Sequence, residues 1–132
     1  MADLWGDLPN ANDIRTPHSI LLEQANHLKV KTQGLLVGNV LRSTEIEHFY
    51  NTLQIIAPSL SNYTYNVLRV THTITLYPCN VHSFAQSKSW APGDERQLEE
   101  VLAEILRSAQ VHRVINGLQA QIRADAPPRN QA

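Results

Sequence analysis

HFYNTLQIIAPSLSNYTYNVLRVTHTITLYPCNVHSF, residues 48–84, holds no glycine and is crowded with β-branched and aromatic side chains. Such residues are stiff or bulky at Cβ and pack best on a pleated surface, so the stretch reads as sheet. Pro58-Ser59-Leu60-Ser61-Asn62 interrupts it with turn chemistry, which predicts a hairpin between a strand over 47–57 and a second beginning at Tyr63. From Tyr63 to Tyr77 no turn signal intervenes. One long strand is expected there, ending at Pro78 and leading into a shorter strand over 81–85.

Helical signals flank this sheet. On the N-terminal side Thr16 is a good N-cap, Pro17 suits the first helical position, and Leu21, Ala25 and Leu28 recur at helical spacing, which predicts a helix over 17–32. A strand over 35–41 follows, where Gly34 and Gly38 leave gaps that point to a bulge or to close packing of the helix on the sheet. On the C-terminal side, beyond a loop with Trp90, Pro92 and Gly93, Asp94 and Gln97 form a capping box ahead of Leu98, Val101, Leu102 and Ile105. Ser108 is a break point before a second stripe, Val111, Ile115, Leu118 and Ile122, that runs to about Ala124 with Gly117 as a weak position.

The resulting fold class is α+β: an antiparallel β-meander of about four strands covered by an N-terminal helix and one or two C-terminal helices, in the order αββββαα. Residues 1–15 read as an arm carrying Leu4, Trp5 and Leu8, residues 16–124 as a single domain, and 125–132 as a flexible tail whose Pro127 and Pro128 cannot continue a helix.

Composition narrows the function. A chain of 132 residues with 42% apolar side chains suffices for one core, while 17% charged residues leave much of the surface to neutral polar groups. Eleven Lys and Arg stand against twelve Asp and Glu, so no net field gathers phosphates. With only three lysines and no Gly-aromatic signature of an RNA-binding sheet, nucleic acid is disfavoured as a partner. No apolar run approaches the roughly 20 residues of a membrane span. The single Cys79 cannot form an intramolecular disulfide, and no leader-like segment opens the chain, so a cytoplasmic location is expected.

If the long strand is regular, alternation assigns Leu68, Val70, His72, Ile74 and Leu76 to the core face. The opposite face then carries Tyr63, Tyr65, Val67, Arg69, Thr71, Thr73, Thr75 and Tyr77. Of these, Tyr63, Tyr65, Arg69, Thr71, Thr73 and Tyr77 are the candidate partner-binding residues, because Tyr and Arg combine large contact area with a polar end. An ordinary solvated sheet face would show the same Thr and Tyr by strand propensity alone.

Reaction chemistry finds little support. His72, Cys79 and His82 are the closest potential metal ligands, but their spacing matches no ligand motif, and His72 at an apolar position reads as a core histidine. Cys79 as a nucleophile needs a base that only tertiary folding could supply. Glu23 reads as a solvated helix face, and Glu45 and Glu47 lie near a strand junction without an acidic partner. No catalytic residue, metal site or cofactor is assigned. The expected function is a small intracellular protein-binding module, such as an immunity-type inhibitor, an accessory subunit or a chaperone-like adaptor, with Trp5 and Trp90 as further anchors or core plugs. A small enzyme or ligand-binding domain with a pocket between sheet and helices is one alternative, and a homo-oligomeric structural component is another.

Overall fold

The computed structural model describes residues 2–10 and 14–125. Thr16 opens α1 (Pro17–Lys31): its hydroxyl accepts the Ser19 N–H at 3.1 Å and replaces a partner that the first helical turn lacks. Ile20, Leu21 and Ala25 form the buried stripe of the helix. At its end the Thr32 hydroxyl donates to the Leu28 carbonyl and accepts the Leu36 N–H, tying residues 32–36 into a turn in which Gly34 takes a positive φ of 83°. That turn delays the first strand, β1 (Val37–Glu45), by two residues relative to the expected 35–41.

β1 and β2 (His48–Ala57) pair from Val37↔Ile56 to Glu45↔His48, leaving Ile46 and Glu47 as a two-residue loop. No Asn-Gly or Asp-Gly marks it, so the sequence carries no strong signal for this hairpin. The turn at Pro58–Leu60 forms as predicted, one turn of 3₁₀ helix closed by Ser61 and Asn62, both at φ 57°. β3 covers Tyr63–His72 and stops five residues short of the expected Tyr77. Leu76 N–H donates to the Thr73 carbonyl and the Tyr77 hydroxyl to the Arg15 carbonyl, so the chain turns off the sheet. Ile74, expected in the core, is 75% exposed as a result.

β4 (Asn80–Ser83) and β5 (Lys88–Trp90) complete one antiparallel sheet in the order β1-β2-β3-β4-β5. The fifth strand extends the expected meander of about four. It is three residues long, too short for alternation to register, and pairs with β4 through Val81↔Trp90. α2 (Glu95–Leu106) starts at the capping box: Asp94 accepts the Gln97 N–H at 2.8 Å, and the Gln97 side chain accepts the Gly93 N–H at 2.7 Å. Ser108 ends the ambiguity between one helix and two, since its hydroxyl accepts the Val111 N–H and starts α3 (Ala109–Asp125). The expected tail, apart from Asp125 in α3, lies outside the described residues. Among those described, no helix is long and apolar enough to cross a membrane.

All three helices lie on one side of the sheet. Between them and the strands sit Ile20, Leu21, Leu36, Leu53, Ile55, Leu68, Val70, Val81, Leu98, Ile105 and Val111, each of the larger side chains contributing roughly 1.5–3 kcal/mol by leaving water. At Gly38 α1 lies close on the sheet: a Cβ there would stand 2.5 Å from Ala25 Cα, so only a glycine admits the helix at this distance.

Candidate functional site

A single irregularity decides which side chains reach the uncovered face. β2 and β3 stay in register from Phe49↔His72 to Leu53↔Leu68, then slip, so that Gln54 faces Asn66 and Val67 has no partner. This β-bulge turns two consecutive residues inward, and Val67 and Leu68 are both 0% exposed. Alternation therefore reverses along β3. Below the bulge Tyr63 and Tyr65 pair with Ala57 and Ile55 and lie on the helix side; above it Arg69 and Thr71 point away from the helices.

The expected single binding face is thus divided. Arg69 and Thr71 remain together on the open face. Tyr63 and Tyr65 share the helix side, Tyr65 packing against the core. Thr73 lies beyond the strand, its hydroxyl 3.0 Å from that of Thr75. Tyr77 is half-buried, and burial, with Cys79 beside it, pushes its phenol up to about 12. Val67 moves from the expected outer face to the core, because the bulge supplies the extra residue that alternation cannot foresee.

The open face is organised around Arg69. One row crosses all five strands as Leu41, Thr52, Arg69, His82 and Ser89. Arg69 Nε donates to the Thr52 hydroxyl at 3.4 Å, and the guanidinium carbon lies 5.8 Å from the ring centres of both Tyr50 and Phe84, within cation–π range. Phe84 N–H donates to the Val67 carbonyl at 3.0 Å, extending the pairing of β3 with β4 one residue beyond Leu68↔Ser83. His82 meets Phe84 edge-on, 5.2 Å between ring centres, and its Nδ1 is 2.9 Å from the Ser89 hydroxyl. A second row, Asn39, Gln54 and Asn66, is joined by two side-chain hydrogen bonds of 2.9 Å. Leu41 is 55% exposed and Phe84 36%, so apolar surface flanks the cation. Among the described residues Arg69 has no carboxylate partner.

Tyr50, Thr52, His82, Phe84 and Leu41 were absent from the sequence-derived set. The alternation Tyr50-Thr52-Gln54 within one strand was the available signal, but their meeting with Arg69 depends on inter-strand register.

The residues considered for chemistry are dispersed. His72 stacks on Phe49 at 5.3 Å, and its Nδ1 lies 2.7 Å from the Thr73 carbonyl, as expected of a core histidine. Cys79 is buried, which pushes its thiol up to about 11 and away from the reactive thiolate, while His82 sits on the open face. Among the described residues no three His, Cys, Asp or Glu side chains gather as a metal site would require. Glu23 is more than a solvated residue: Arg15 bridges it to Glu99 and approaches Glu95 at 4.0 Å, and Glu23 and Glu99 hold the guanidinium pKa above its ordinary value. Trp90 packs on the core with Lys88 Nζ 5.0 Å from its ring, whereas Trp5 is 80% exposed. Comparison with protein-family models, curated proteins and solved structures finds no match to this chain.

Proposed function

We propose that this chain is a protein-recognition module that binds a partner through the open sheet face, with Arg69 at the centre of the contact. The observation carrying this reading is the guanidinium held between two aromatic rings and left without a carboxylate, on a sheet face that no described helix covers. Arginine and tyrosine dominate binding hot spots because they are rigid, wide and polar at one end, and here Thr52, Tyr50 and Phe84 hold Arg69 in advance, which lowers the ordering cost on association. The uncompensated charge favours a partner that brings a carboxylate to Arg69. An inhibitor, accessory subunit or adaptor would use such a face. The reading includes an intracellular setting, in keeping with an unpaired, buried Cys79.

The test is capture of partners from a host lysate on immobilised wild type, Arg69→Ala/Tyr50→Ala and Tyr63→Ala, each checked for folding by circular dichroism. A specific partner lost only from the open-face variant supports the reading. Equal retention by all three, or loss only with Tyr63→Ala, moves the interface to the helix side and refutes it.

A further inference from the structure

On the helix side the cover over the sheet is incomplete. Between α1 and the α2–α3 pair a cleft of about 280 Å³ descends to the strands, with Leu53, Ile55 and the bulge residue Val67 as its floor and Leu28 and Ile115 in its walls. Its size is near the lower end of small-molecule sites, roughly 300 Å³. The same bulge that directs Arg69 outward thus supplies part of this floor.

The charges around it are one-sided. Lys31 of α1 and Arg107 at the α2 terminus are the charged residues of the lining, His27 of α1 and His112 of α3 stand with them, and no lining residue is a carboxylate. Among the described residues, none of these four side chains makes an ion pair or a side-chain hydrogen bond. An adjoining hollow shares His27 and Arg107 and contains Glu23 and Glu99, but Arg15 already occupies both carboxylates. The open end is therefore an apolar slot with uncompensated positive charge beside a low-dielectric floor, an arrangement that attracts an anion more strongly than the same charges would in open water.

We propose that this cleft binds a small anionic amphiphile, its apolar body against Leu53, Ile55 and Val67 and its negatively charged head among Lys31, Arg107, His27 and His112. A cationic ligand of the same shape meets repulsion, and a neutral one leaves the rim charges unanswered. Carboxylate and sulfate heads share the required chemistry. The site lies on the opposite side of the sheet from the face centred on Arg69, so either proposal stands if the other falls.

Isothermal titration with octanoate, octyl sulfate, octan-1-ol and octylammonium tests the idea, since the four probes keep one apolar body and change the head. The anions are expected to bind at least about tenfold more tightly than octylammonium, a difference of roughly 1.4 kcal/mol. Preference for octanoate over octyl sulfate, or the reverse, identifies the head. Lys31→Ala/Arg107→Ala, which alters two exposed side chains, is expected to lower anion affinity by at least about tenfold. Lys29→Ala, which removes a cation of the same helix that does not line the cleft, is expected to leave it unchanged. Methyl resonances of Ile55 and Val67 report the location. Equal affinity for anion and ammonium, affinity retained in the double variant, shifts confined to other residues, or no binding by about 10 mM would each overturn the proposal.

Discussion

Gly38→Ala tests how closely α1 lies on the sheet. The added methyl carbon would stand 2.5 Å from Ala25 Cα, 2.6 Å from its Cβ and 2.9 Å from its carbonyl oxygen. Carbon atoms rest at about 3.5–4.0 Å, so helix and strand must separate by about 1 Å. Two of the three obstructing atoms are backbone, and no rotamer change relieves them. Overpacking of this kind costs about 1–3 kcal/mol. Alanine restricts the unfolded chain more than glycine and returns up to about 1 kcal/mol. The net expectation is a loss of about 1–2 kcal/mol, which at an unfolding entropy of roughly 2.1 cal/mol/K per residue lowers the melting temperature by about 4–7 °C. Gly117→Ala is the matched control. It adds the same methyl to α3 with nothing within 4 Å, and removing a helical glycine raises stability by about 1 kcal/mol. Urea titrations of wild type and both variants give the two free energies, with an unchanged slope showing that the surface exposed on unfolding is the same in all three. A Gly38→Ala protein as stable as wild type would refute the packing argument, and loss of stability in both variants would show that the cost is not steric.

Two further outcomes concern buried titratable groups. Burial raises the Cys79 thiol from 9.0 to about 11, so the unfolded chain releases this proton first. The Cys79 contribution to stability is therefore present below pH 9 and declines as pH rises toward 11, a slope that Cys79→Ala should remove from urea midpoints measured across that range; an identical slope in the variant would sink the assignment. His18 has a buried Nδ1 without a hydrogen-bond partner, and desolvation, with Arg42 nearby, depresses its pKa below 6.5. Its stabilising contribution is full above the unfolded-state value and falls as pH drops through 6.5 toward the folded value, so an NMR titration of the His18 ring should give a midpoint below 6.5, and a midpoint at or above it would contradict the burial.

Much of the fold was legible because its signals are short-range. Thr16-Pro17, Asp94 with Gln97, Ser108 and Pro58–Asn62 act through hydrogen bonds or fixed dihedrals spanning a few residues, and each operates where its residue type predicts. Glycine was less decisive: Gly34 and Gly38 alike pointed to a bulge or to close packing, and only Gly38 meets the helix, at Ala25, while Gly34 serves the turn after α1. β5 and the loop at Ile46 and Glu47 escaped because three strand residues and two loop residues carry too little pattern.

The allocation of side chains to faces was another matter. Whether Tyr65 lies with Arg69 depends on one extra residue, Val67, and nothing within Tyr63–His72 distinguishes a bulged strand from a regular one. That choice is made between strands, by the pairing of β3 with β2 and with β4 and by the space beneath the helices. The sequence by itself determined the order of the helices and of the four longer strands, the helix starts and the class of the fold, since those follow from interactions within a turn or two. Tertiary structure alone decided the bulge, the aromatic setting of Arg69 and the basic cleft between helices, because each joins residues more than a dozen positions apart, and contacts at that separation form only when packing of the whole sheet sets the register.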